Sequence, residues 1–153
     1  MAEDRQPARP LPVDWGLPMG LGVPPFTAHR FTATSGALRG ARDFTRHTLR
    51  SWGLARRADD AVSIANELVA NAMRHVLAKQ LGQTGWLALT NSRHTVLCVV
   101  SDPCPHAPRL ISTNHLTLHG RGLHIVRALS DNWGCHIDEN DTGKTVWARI
   151  STR

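Results

Sequence analysis

The stretch Val96–Asp102, VLCVVSD, is apolar without alternation and ends on an acid. A strand is apolar at every position only where both of its faces are covered. This segment therefore reads as the buried central strand of a sheet, and the rest of the chain must supply its neighbours and its cover. Gly85–Asn91 has an apolar period of two and reads as one neighbour, joined through a turn at Asn91–His94.

Other segments change period. Phe26–Thr32 alternates and predicts a short strand. Gly36–Trp52 places Leu38, Ala41, Phe44, Thr45, Thr48, Leu49 and Trp52 on one helical face, and Gly53 ends it where a glycine C-cap is expected. A second helix is predicted from about Arg57 to Ala78, with Ala61, Ile64, Ala65, Leu68, Ala72, His75 and Val76 on its inner side. Asp59 and Asp60 sit in its first turn, where the helix dipole favours negative charge. Pro103–Gly120 is too long for an ordinary connection, and such loops in compact domains are usually functional. Arg121–Asn132 predicts a third helix, with Leu123, Ile125, Val126 and Leu129 inward. Trp133–Glu139, a turn at Asn140–Gly143 and Lys144–Ile150 form a terminal hairpin.

This order predicts an α+β fold of two layers, with helices on one face of a mixed, mostly antiparallel sheet. The domain is expected over residues 26–153. Residues 1–25 hold six of the nine prolines and read as a flexible arm preceding it.

Composition narrows the function classes. Apolar residues make up 41% of the 153, enough for a packed core, and no apolar run is long enough to span a membrane. The N-terminus lacks the basic-then-apolar pattern of a signal peptide, and the three cysteines form no CxxC pair, so a reducing cytoplasmic setting is expected. The net charge of +6 comes from arginines spread along the chain, with only Lys79 and Lys144 as lysines. A nucleic-acid binder concentrates its basic residues on one face or tail, so no direct nucleic-acid partner is expected.

Four segments can carry chemistry. In the second helix Glu67 and Asn71 lie four apart, one turn above each other on one face. They read either as a boundary pair bonded to each other or to water, or as a base beside a hard amide ligand for Mg²⁺. Asp102 ends the apolar strand, placed either to accept from a ligand amine or simply to start an Asp-Pro turn. His119-Gly120-Arg121-Gly122-Leu123 opens a helix, where backbone N–H groups and Arg121 favour an anion. Gly143-Lys144-Thr145-Val146-Trp147 reads by itself as a hairpin strand. Neither GxGxxG nor GxxxxGK[ST] occurs.

Taken in order, ELVANAMRH, VVSDPCP, GRGLHIVRALSDNWG and GKTVWARI resemble the asparagine box and three glycine boxes of the Bergerat-fold ATPases, the superfamily of histidine kinases, gyrase and MutL. Within it the wording is most similar to the small anti-sigma-factor serine/threonine kinases of the RsbW and SpoIIAB type in actinobacteria. The resemblance covers roughly residues 26–151. It implies ATP and Mg²⁺ as cofactors, with Asn71 on the metal and Glu67 as general base for a serine hydroxyl. It implies Asp102 on the adenine amine, with Thr145 helping through water. Gly120, Arg121, Gly122 and Leu123 would lie at the phosphates, at the hinge of a lid over about Pro105–His119. Arg74 and His75 could line the pocket. The implied partners are an anti-anti-sigma protein of the STAS type or a sigma factor, with homodimers common in that branch.

One departure matters. The superfamily places glycine two residues after the acid; here Cys104 stands there, followed by Pro105 and Pro108, which fix φ and remove N–H donors. A non-catalytic switch that sequesters a regulator is therefore the second reading. A zinc site from Cys104, His106, His115 and His119 lacks HExxH and reads instead as exposed lid histidines.

Overall fold

The computed structural model describes residues 25–75, 82–104 and 122–153. Five strands and three helices follow one another as β1 (Phe26–Thr32), α1 (Ala37–Ser51), α2 (Ala58–His75), β2 (Thr84–Ser92), β3 (Thr95–Asp102), α3 (Gly122–Leu129), β4 (Asn132–Ile137) and β5 (Lys144–Ser151), with a single 3-10 turn at Ala55–Arg57 before α2. The strand order is β1-β2-β3-β5-β4, so VLCVVSD occupies the middle of the sheet as its composition requires. All four pairings are antiparallel, the limiting case of the mostly antiparallel sheet expected.

Alternation along the strands divides the sheet into two faces. The inner face carries Phe31, Leu87, Leu89, Val96, Cys98, Val100, Val146, Ala148 and Ile150, which form one core with the helices. Helix α2 lies centrally: Ala61, Ile64 and Ala65 are fully buried, and it packs on α1, α3 and β3. Helix α1 buries Ala41, Thr45, Thr48 and Leu49, with Leu38, Phe44 and Trp52 against the edge of the core. It ends as Gly53 predicts. Gly53 has φ +74, its N–H donates to the Arg50 carbonyl, and the Leu54 N–H reaches back to Leu49, which together form a Schellman motif.

The last helix is shorter than its periodicity suggests. The Asp131 N–H already donates to the Arg149 carbonyl, so the chain has joined the sheet by that point. Leu123 and Val126 are buried and Leu129 touches the core, whereas Ile125, expected inward, is 37% exposed. Contacts spaced by three leave position 125 off the buried stripe. Residues 1–24, with nearly all of the expected arm, and the expected lid lie outside the described residues. Among the described residues no helix is long and apolar enough to cross a membrane.

Candidate functional site

Glu67 and Asn71 sit on the single polar stripe of a helix that is otherwise enclosed. Their neighbours Leu68, Val69, Ala70 and Ala72 are buried, while the two polar side chains are half-buried. Neither is hydrogen-bonded to the other, so the boundary pair bonded to itself does not form. The Glu67 carboxylate points at the start of α3: a Cβ placed on Gly122 would fall 2.6 Å from Glu67 Oε2. Glycine at 122 thus lets α3 begin directly against the carboxylate, bringing together two of the residues singled out in the sequence.

Asp102 closes β3 on the inner face, where its register partner on β5 is Lys144. The pair is enclosed, at 5% and 3% exposure. Lys144 Nζ donates to Asp102 Oδ1 at 3.0 Å and approaches Oδ2 at 2.9 Å. The Cys104 N–H also donates to Oδ1, at 2.9 Å. Removing two charges from water is expensive, and such a pair holds only when geometry and further hydrogen bonds are good. Here the backbone helps by close approach. A Cβ on Gly143 would lie 2.6 Å from the Asp102 carbonyl oxygen, so only glycine lets the β4–β5 turn pass beside the end of β3.

Cys135 on β4 feels the same two charges. Burial pushes its thiol up to about 11, with Lys144 drawing it down and Asp102 pushing it up. Cys98 in the core is pushed up to about 12 by burial. Both therefore stay neutral thiols at ordinary pH, and all three cysteines are free.

The structure does not bring Thr145 to this group. Successive side chains on a strand point to opposite faces, so Thr145 lies opposite Asp102, lining an outer-face cavity of about 270 Å³ with Phe26, Ala28, Trp86, Ala88, Val99 and Ser101. Lys144 holds the place beside the acid that the resemblance gave to Thr145. Leu123 packs within the core and anchors α3, and Arg74 is exposed. Gly120, Arg121, the side chain of His75 and the lid over Pro105–His119 lie outside the described residues, as do His106, His115 and His119. Among the described residues no three His, Cys, Asp or Glu side chains converge on a possible metal site.

Sequence reasoning missed Lys144, and the signal was available. Lys144, Val146, Ala148 and Ile150 share one parity along β5, so the lysine sits on the apolar side of its own strand. A cation there needs a buried anion.

These donor sets fit a metal-bound nucleotide. The Asn71 amide oxygen is a hard ligand of the kind Mg²⁺ takes, and Glu67 beside Gly122 leaves the start of α3 without a side chain between them. A carboxylate offers roughly four acceptor directions. Two are taken at Oδ1 of Asp102, and Oδ2, which faces the Lys144 ammonium at 2.9 Å, keeps one that matches an exocyclic amine.

Comparison with known protein families matches residues 31–150 to the histidine kinase-like ATPase domain, a span running from β1 to the last strand. No curated protein matches the chain. With Glu67, Asn71 and Asp102 on one side of an antiparallel sheet under its helices, and with that match over most of its length, this chain belongs to the histidine kinase-like ATPase domain family, and ATP binding is the activity that membership gives it.

Proposed function

We propose that the chain is a regulatory serine/threonine protein kinase of the anti-sigma type, acting on a STAS-domain partner and sequestering a sigma factor as its counterpart. The observation that carries the reading is the Glu67 carboxylate set against Gly122, with Asn71 one turn along the same stripe. Bound Mg-ATP supplies the phosphoryl group and the ion that neutralises its charge. Asn71 contributes its amide oxygen to that ion. Glu67 would accept the proton of a partner's serine hydroxyl, whose oxygen would bond to the γ-phosphorus as ADP leaves, and such general bases are worth about 10²–10⁴-fold. Asp102 accepts from the base, in a setting where burial strengthens every hydrogen bond to its charge.

Calorimetric titration with ATP, with and without Mg²⁺, tests the first half. Wild-type protein binds saturably and more weakly without the metal, Asn71→Ala loses the metal dependence, and Asp102→Ala loses binding. Transfer of labelled phosphate to a STAS-domain protein tests the second half. Glu67→Gln binds ATP and partner and slows transfer by about 10²–10⁴-fold. A folded wild-type protein that ignores ATP yet captures its partner establishes the sequestering switch instead. That reading draws its support from Cys104 after the acid and from the Lys144 ammonium already on Asp102.

A further inference from the structure

Resting on the reading that Asp102 meets the base of a bound nucleotide, we propose that Lys144 is a second base-reading group, which donates to a ring nitrogen while Asp102 accepts from the exocyclic amine. The argument starts from what the buried pair leaves unused. An ammonium carries three N–H donors. One donates to Asp102 Oδ1 at 3.0 Å, and Oδ2 lies 2.9 Å from the same nitrogen. No other described side chain or carbonyl accepts from Lys144. At least one donor is left on a nitrogen whose side chain is 4% exposed, where water cannot easily satisfy it.

The carboxylate shows the complementary remainder. Oδ1 takes both the Lys144 ammonium and the Cys104 N–H, whereas Oδ2 meets the ammonium alone and keeps an acceptor direction. A spare donor therefore stands beside a spare acceptor, on atoms 2.9 Å apart. The Watson–Crick edge of adenine has the matching pattern, an acceptor at N1 next to a donor at N6. A lone carboxylate would read the amine only. The paired group reads the amine and the ring nitrogen together, and it holds its own geometry because β3 and β5 fix both side chains in register.

The test compares binding of ATP with that of 1-deaza-ATP, in which N1 is replaced by C–H and the amine is kept. Titration of the full chain in Mg²⁺ should show affinity for 1-deaza-ATP lower by about tenfold to a hundredfold, the range for a hydrogen bond to a charged group. In Lys144→Met the two nucleotides should bind within about twofold of each other. Because that variant strands a buried carboxylate, Lys144→Thr, whose single O–H is taken up by the Asp102 carboxylate and leaves no donor for a ring nitrogen, provides the same comparison if Lys144→Met does not fold. Wild-type protein that binds both nucleotides equally, or a variant that still discriminates between them, overturns the role of Lys144 and leaves ATP binding standing. Folded wild-type protein that binds neither overturns both.

Discussion

Lys144 and Thr145 are consecutive residues of β5, yet they belong to different environments. Lys144 faces the helices and ends in a closed ion pair with Asp102. Thr145 faces the other way, onto a shallow surface with Phe26 and Trp86, which are 51% and 48% exposed. Charge is enclosed on the inner side and aromatic surface is left open on the outer one, the reverse of what hydrophobicity alone would arrange. An enclosed ion pair is costly to maintain as a scaffold, since apolar residues of the same volume would serve as well or better. An ion pair kept at that cost on the inner face is consistent with a role there beyond packing. The outer face is only partly closed: Val99 and Trp147 are each 2% exposed, while Leu97 and Ser101 on the same side of the sheet are half-buried.

The comparison is broken or sharpened by substitution. Lys144→Met leaves the Asp102 carboxylate buried without its partner and should cost about 3–5 kcal/mol in urea unfolding; the double variant with Asp102→Asn should recover most of it. Gly122→Ala comes next. Its Cβ would displace the Glu67 carboxylate, and a misplacement of this kind costs up to about 10²-fold in transfer. Gly122 opens the helix rather than lying inside it, and the atom displaced is the far end of a flexible side chain, so thermal stability should change little. Activity should therefore fall while thermal stability holds, a dissociation that mere misfolding cannot produce.

The buried thiols give a smaller, pH-linked effect. Cys98 and Cys135 ionise near 12 and 11 in the folded state, above the ordinary value of 9.0. Below pH 9 both states hold the protons and the contribution is complete. As pH rises further, the unfolded chain releases protons that the folded one keeps, so stability falls until the folded thiols ionise too. The unfolding constant should rise by about tenfold per thiol from pH 8 to pH 10, and Cys98→Ala should flatten the slope. The smallest effect belongs to the outer face. Thr145→Val should change stability by no more than about 0.5 kcal/mol and leave ATP affinity unaltered. A large loss of affinity there would place the base on the wrong side of the sheet.

Much of this architecture is legible in the sequence because local periodicity reports burial directly. Over the described residues the faces of α1 and α2 are those their spacing indicates, since long amphipathic helices bury one stripe regardless of what lies beyond. The side chain of His75 and Val76, both of the expected α2 face, lie outside the described residues. The reach of α3 is less legible: the pull of β4 into the sheet at Asp131 is a tertiary hydrogen bond, and it stops the helix while the apolar pattern continues. Glu67, Asn71, Asp102 and Gly122 are visible as motif residues. The Asp102–Lys144 pair is not, because it depends on β5 lying beside β3 in one particular register, and nothing local fixes which strands pair. The position of Thr145 away from Asp102 has the same origin, since a step of one residue along a strand reverses the face.

The register between β3 and β5 also bears on how the molecule assembles. The β2–β3 hairpin closes over the short turn at Arg93-His94, and β4–β5 closes over its own turn. These are local events, fast and inexpensive in loop entropy. Asp102 and Lys144 are 42 residues apart in the chain and meet only where one hairpin zips onto the other. The Asp102–Lys144 pair is thus a seam between two folding units. A ligand held there binds the joined form alone, and by mass action it stabilises the union of the two halves rather than either half by itself.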